Sequence, residues 1–325
     1  MIAAQPAATA HAQECRVGTR ASPLALIQTR DFMARIGAYC ADRPDPPVFL
    51  EHQIRTTGDA VQDRKLAEIG GKGLFAKEIH EAMLDGRIDV AVHSLKDLET
   101  SLPTGIVLAC VLRREDARDA LILGPACTAH DPADPFACLP AGATIGTSSV
   151  RRQAQLLHRR PDLRIALLRG NVATRLTRTE NGDFGASLLA LAGLRRLGLE
   201  QHASALLDPE VMVPSACQGI VGITARESDT ALRTLLAGIE DAESRAVATA
   251  ERTMLALLDG SCNTPIGGYA RLLPDGRLQM TGLVARADGS FLLKQTLAGD
   301  IAEAERLGAA LGAALRADSP ADLFG

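Results

Sequence analysis

Four clusters of cationic and hydroxyl-bearing residues in this chain have the makings of an anion site: Thr19-Arg20-Ala21-Ser22, Thr147-Ser148-Ser149 with Arg151-Arg152, Arg169-Gly170-Asn171 with Thr174-Arg175, and His93-Ser94-Leu95-Lys96-Asp97. Arginine suits that task because its planar fork donates two parallel hydrogen bonds to a carboxylate or phosphate. One double arginine is more often a solvated helix face, but four such clusters, each closing an apolar run, point to a shared cleft for an anionic ligand. Asp97 is an acid in a neighbourhood otherwise suited to anions. Either it caps a turn or pairs with a neighbouring cation, or it stabilises positive charge developing on a bound substrate and moves a proton. Cys262, in DGSCNTPIGGYA, has two readings as well. It is a buried small residue, or a thiol on a loop whose glycines let a ligand come close.

The elements around these clusters alternate. ECRVGT reads as a strand, and Ser22-Pro23 opens the helix LALIQTRDFMARI with a capping hydroxyl and a proline at the first helical position. VFLEHQIRTT is a second strand, GGKG a glycine loop, LFAKEIHEAML a helix with Leu74, Phe75, Ile79 and Met83 on one side, and IDVAVHS a further strand. After the charged stretch RREDARD the pattern restarts. ALILG is followed by ATIGTSS entering the helix VRRQAQLLHRR, RIALLRG entering a helix near Asn171, and ASLLALAG. Even the wording echoes, since VGTRASPLALIQ and IGTSSVRRQAQL both run from an apolar strand through Gly-Thr into a helix start. From about residue 240 the pattern becomes a long helix, SRAVATAERTMLALL, strands joined by Asp-Gly turns, and the closing helix IAEAERLGAALGAALRA. The fold class expected is α/β: two lobes with mixed, largely parallel sheets, plus a small α+β C-terminal domain.

Composition limits what such a molecule does. At 325 residues the chain exceeds the size of one economical core, and 46% hydrophobic with 23% charged residues is ordinary for a globular protein. Its net charge of −4 and lack of Trp argue against a nucleic-acid partner despite Arg151-Arg152 and Arg159-Arg160. No apolar run approaches the roughly 20 residues of a membrane helix, and the Ala-rich start lacks the basic and apolar regions of a signal peptide. Seven cysteines without a CxxC pair fit a reducing compartment, so a cytoplasmic protein is expected, with residues 1–14 as a flexible leader. The seven His and seven Cys show no compact ligand spacing, and no metal is expected.

RVGTRASPLALIQ, GGKGLFAKEIHEAML, AVHSLKD, RREDARDALI, IGTSSVRRQAQL, LRGNVATRL, LALAGLRRLGLE, ACQGIVGI and SCNTPIGGYA stand in the order and spacing of porphobilinogen deaminases, and residues 15–317 resemble that family. The resemblance implies a transferase of tetrapyrrole biosynthesis that joins porphobilinogen units head to tail, releasing ammonia each time and finally hydroxymethylbilane. It implies lobes like those of periplasmic binding proteins, with domain 1 over residues 15–112 and 218–238, domain 2 over 113–217 and domain 3 over 239–325, in a monomer. It implies a dipyrromethane cofactor, built from substrate and held on Cys262 by a thioether. Asp97 matches the catalytic aspartate; Lys96, Ser94, Ser148, Ser149, Arg151, Arg152, Arg169 and Gly170 match positions around the cofactor. Arg20, Ser22, Gln28, Lys72, Arg169, Arg175, Arg196 and Gln218 match positions around porphobilinogen and the growing linear oligopyrroles. The chain departs from the family's usual residues at Glu68, Leu98-Glu99, Gly185 and Cys217, the last standing where glycine is usual. A noncatalytic carboxylate- or phosphate-binding protein would use the same scaffold, and Asp97 and Cys262 are what separate the two readings.

Overall fold

The computed structural model describes residues 14–60, 73, 75–127, 131, 134–258 and 265–324. The first lobe contains β1 (Glu14–Arg20), α1 (Pro23–Cys40), β2 (Val48–Ile54), the single turn α2 (Thr57–Ala60), α3 (Lys77–Leu84), β3 (Val90–Ser94) and β4 (Ile106–Val111). The second contains β5 (Asp119–Leu123), β6 (Thr144–Gly146), α4 (Val150–Arg159), β7 (Arg164–Ala166), α5 (Val172–Glu180), β8 (Ala186–Ala190), α6 (Leu191–Arg196) and β9 (Ala205–Leu207). The chain then returns through β10 (Val221–Arg226) and α7 (Thr230–Ala237) to the first sheet. It ends in α8 (Ala242–Leu257), β11 (Ile266–Leu272), β12 (Leu278–Ala285), β13 (Leu292–Gly299) and α9 (Ala304–Ala317).

The two lobes share one topology. Their sheets run β2-β1-β3-β10-β4 and β7-β6-β8-β5-β9, each with one antiparallel strand in the fourth place, β10 in one and β5 in the other. The echoing segments fall on equivalent pieces, β1 with α1 and β6 with α4, so the repeat in wording is a repeat in structure. In both, the parallel strands direct their carboxyl ends, and the helix starts that follow, toward one edge of the lobe. Ser22 caps α1 by accepting from the Ala25 N–H, Ser149 caps α4 from Arg152, and Asn171 caps α5 from Thr174.

Several elements differ from the expectation. The helix expected from Leu74 begins at Lys77. Phe75 lies before it, its ring 4.1 Å from the Arg20 guanidinium carbon, while Ile79 and Met83 are the buried apolar pair. Glu14, expected in the leader, already pairs with Val48 in the sheet; residues 1–13 lie outside the described residues. The third unit is an antiparallel meander, β11-β12-β13, packed on α8 and α9. Its core, with Met254, Leu278, Met280, Leu311 and Leu315, continues into Leu95, Leu98, Val111 and Ile220 of the first lobe and Cys217 at the return from the second. That continuity seats the third unit directly beneath the turn that carries Asp97.

Candidate active site

β3 ends at Ser94 and passes into a 3-10 turn, Leu95–Asp97. Leu95 is anchored in the core below, which leaves Lys96 half-buried and Asp97 exposed. Asp97 makes no hydrogen bond or ion pair among the described residues, so its carboxylate is available to a ligand. Lys96 Nζ donates to Gln218 Oε1 at 3.2 Å. Burial lowers its pKa to about 8; Asp97 and Asp119 oppose the drop, and Arg151 and Arg152 deepen it. The last three groups belong to the second lobe, so the two lobes meet electrostatically at this turn.

Across the cleft, Arg151 and Arg152 both lie in the first turn of α4 and are buried. Their Nη2 groups donate to Asp119, which is fully buried, at 2.8 and 2.7 Å. Their Nη1 groups donate to the carbonyls of Val213 (2.6 Å) and Leu188 (2.8 Å). Each keeps a buried Nε–H with no partner among the described residues. Sequence reading assigned both arginines to an anionic ligand; the structure gives each a carboxylate partner within the protein and leaves one donor edge over. Two buried guanidinium donors without an acceptor among the described residues are unusual for a protein interior.

Arg175 extends the cluster. Its Nε donates to the Gly170 carbonyl at 2.8 Å, and Gly170 holds φ +109°, where an added Cβ would stand 2.9 Å from Thr174. Burial lowers the Arg175 pKa to about 10; Arg152 and Arg169 push the same way and Asp97 pushes back. Arg175 thus links the charge of Asp97 to that of Arg152 on α4 and Arg169 on the β7–α5 loop.

Other expected site residues have more local roles. Gln28 and Ser94 hydrogen-bond each other (2.9 Å), tying α1 to the end of β3. Ser148 bonds the Leu168 carbonyl. Arg196 donates to the Gly219 carbonyl at 2.8 Å, and its charged neighbours are Glu115, Asp31 and Arg35, so it stands at the lobe junction, apart from the cluster around Asp97. Gln218, on the returning segment, donates to the Ala117 carbonyl and to Asp119. Lys72, Glu68 and Cys262 lie outside the described residues. Glu99, one of the departures, pairs with buried His80 at 3.2 Å rather than entering the cleft. Beside them His93 is kept neutral: burial, reinforced by His80, lowers its pKa to about 3. A separate cavity of about 640 Å³ between the second lobe and the third unit is lined by Arg113, Arg118, Tyr269 and Arg271 and includes none of the expected site residues.

Sequence reasoning missed Asp119 and Glu251. Glu251 is fully buried on α8; it accepts from Arg114 at 2.7 Å, from the Ala270 N–H at 2.6 Å and from the Cys217 N–H. Neither acid carries a local signal, Asp119 closing a charged stretch and Glu251 interrupting an apolar helix face, because their partners lie far along the chain. Among the described residues no group of three His, Cys, Asp or Glu is placed to hold a metal.

Fold and site together define a two-lobed protein in which arginines of the second lobe gather near an exposed acid, Asp97, on a turn of the first. Residues 15–234 match the family model described as porphobilinogen deaminase, dipyromethane cofactor binding domain, and residues 246–317 match porphobilinogen deaminase, C-terminal domain. The chain belongs to the porphobilinogen deaminase family. It is 45% identical over 95% of its length to the porphobilinogen deaminase of Paracoccus denitrificans, covering 96% of that protein. It is 46% identical to that of Nitrobacter winogradskyi, over 90% of each chain. The chloroplastic porphobilinogen deaminase of Oryza sativa subsp. japonica is 43% identical over 92% of this chain and 81% of its own.

Proposed function

We propose that this chain condenses porphobilinogen units into hydroxymethylbilane with loss of ammonia, the growing oligopyrrole being held in the cleft between the lobes. The observation that carries the reading is the exposed carboxylate of Asp97 beside Lys96 and within the electrostatic reach of Arg175, whose other charged neighbours are Arg152 and Arg169. A dipyrromethane on Cys262 supplies, when bound, a tethered pyrrole with a free α-carbon as nucleophile. Two buried orphan donors, Arg151 Nε and Arg152 Nε, fit its acetate and propionate groups. Arg169, Arg175 and Lys96 hold further side-chain carboxylates, and Ser94, Ser148, Ser149 and Gly170 shape the floor. Arg20, Ser22 and Lys72 are assigned to the substrate side; Gln28 and Gln218 serve it through Ser94 and Lys96, and Arg196 from the lobe junction.

Asp97 accepts a hydrogen bond from a pyrrole N–H and lies against the positive charge that develops on porphobilinogen as ammonia departs. The same carboxylate takes up the proton lost when aromaticity returns. The surrounding arginines do two jobs. They neutralise the substrate's carboxylates, and by holding these in place they set the reacting ring over Asp97.

We further propose the domain division given above, which the return of β10 to the first sheet supports, and a cytoplasmic monomer. The six described cysteines are unpaired, as a reducing compartment requires, and no described helix is long and apolar enough to cross a membrane. Intact mass spectrometry tests the function. The purified chain should weigh two pyrrole units more than its 34.2 kDa sequence, Cys262→Ser should lack the adduct, and Asp97→Ala should keep the adduct and lose ammonia release by a factor on the order of 10² or more. An unmodified wild-type mass would favour a noncatalytic binding protein.

A further inference from the structure

We propose that Asp119 is a positioning residue for this reaction: from β5 it fixes the amide of Gln218 so that Oε1 faces the Lys96 ammonium, while gripping Arg151 and Arg152 so that their Nε–H edges are left for the ligand. The geometry leaves little choice. Gln218 Nε2 spends both of its N–H groups on acceptors that cannot donate, Asp119 Oδ1 at 2.8 Å and the Ala117 carbonyl at 2.7 Å. The opposite amide orientation would set Oε1 against a carboxylate and a carbonyl. With Nε2 committed, Oε1 is the acceptor that Lys96 Nζ meets at 3.2 Å. Asp119 Oδ1 also accepts from Arg152 and Oδ2 from Arg151, so one carboxylate links the second lobe's sheet, the start of α4, the returning segment and the turn of Asp97. It touches neither Asp97 nor a position open to substrate, being fully buried.

The charges facing Lys96 are Asp97 on its own turn, Asp119 on β5, and Arg151 and Arg152 on α4. Asp119 is thus one of two acids that keep this lysine protonated against burial and two guanidiniums. Remove its charge, and Lys96 must release its proton at lower pH.

This inference rests on the deaminase reading for its meaning, yet it can be read without turnover. The chain holds only five lysines, so ¹³C NMR of lysine Cε in the full-length protein resolves Lys96, with Lys96→Arg assigning the signal. The wild-type signal should titrate near pH 8. In Asp119→Asn it should move down by roughly one pH unit, the size expected for loss of a nearby opposite charge. Gln218→Met leaves the Asp119–arginine pairs in place, removes the Lys96 acceptor together with the two Nε2 donations, and should move it in the same direction. Should Asp119→Asn fail to fold, Gln218→Met carries the test alone. An unmoved Lys96 titration in Gln218→Met overturns the inference, whether or not the wild type releases ammonia. Ammonia release that loses its alkaline limb earlier in both variants, and recovers it in Asp119→Glu, supports it.

Discussion

Cys217 shows how one residue records a constraint that the rest of the chain imposes. It is the single described non-glycine residue with positive φ, 62°, a conformation that costs an L-residue about 1 kcal/mol or more. The backbone is held there because the Cys217 N–H is bound by Glu251 and the Gln218 side chain next to it by Asp119. The thiol is sealed in the core below, where burial, with Glu251 adding to it, pushes its pKa to about 12. It is inert packing, not a second reactive group of the cleft. The usual effect of a Gly-to-Ala change should therefore reverse here. Cys217→Gly should be more stable than Cys217→Ala by about 1 kcal/mol, because both lose the sulfur and only alanine keeps the strained Cβ. Urea midpoints of the two variants decide it, and equal midpoints would mean the backbone relaxes.

At the scale of elements, strands β1, β3 and β10 are riveted by one carboxylate. Asp89, just before β3, accepts from Arg16 of β1 and Arg226 of β10, at 3.0 and 2.8 Å. Burial alone would raise its pKa, but the hydrogen bonds from Arg16 and Arg226 outweigh it and hold the group at about 2, below an ordinary 3.8. A carboxylate depressed on folding stabilises at pH above its unfolded value and loses that contribution as pH falls through the folded one. Asp89→Asn should therefore cost roughly 2 kcal/mol at pH 7 and progressively less against wild type between 3.8 and about 2. Denaturation across that pH range reads it; a gap that persists at pH 2 would assign the loss to packing. None of this was legible from local sequence. Period and caps predicted α1, α4, α5, α8 and α9 well, and the Gly-Thr echo located β1 and β6, because those signals are confined to a few neighbouring residues. β4 and β10 carry no turn-bounded alternation and went unread. Asp119, Glu251 and Asp89 look like ordinary acids, since what makes them structural lies dozens of residues away. Strand-end hydroxyls and arginines advertise themselves in sequence, whereas the acids that orient them do not.

The whole molecule is three units meeting at a short returning segment, and Glu251 is the group that binds them. Arg114, on the passage from the first lobe to the second, donates to Glu251 at 2.7 Å, to the Gln218 carbonyl at 2.8 Å and to the Ala270 carbonyl of β11 at 3.2 Å. Glu251 in turn accepts from the Ala270 and Cys217 N–H groups, so this pair reaches both interlobe passages and the third unit. Buried pairs gain little over well-packed apolar residues, but removing one member strands the other and typically costs about 3–5 kcal/mol. Glu251→Ala should thus lower stability by that order, with cleavage by a dilute protease appearing first where the third unit joins the lobes. Replacing both partners, Glu251→Met with Arg114→Met, should recover part of the loss, although the Ala270 and Cys217 N–H groups stay without an acceptor. The informative readout is function in the rescued double variant. If the pair also sets the seat of the third unit beneath Asp97, the double variant will fold and take up the pyrrole adduct yet release ammonia more slowly than wild type. Full activity in a restored fold would limit the pair to stability.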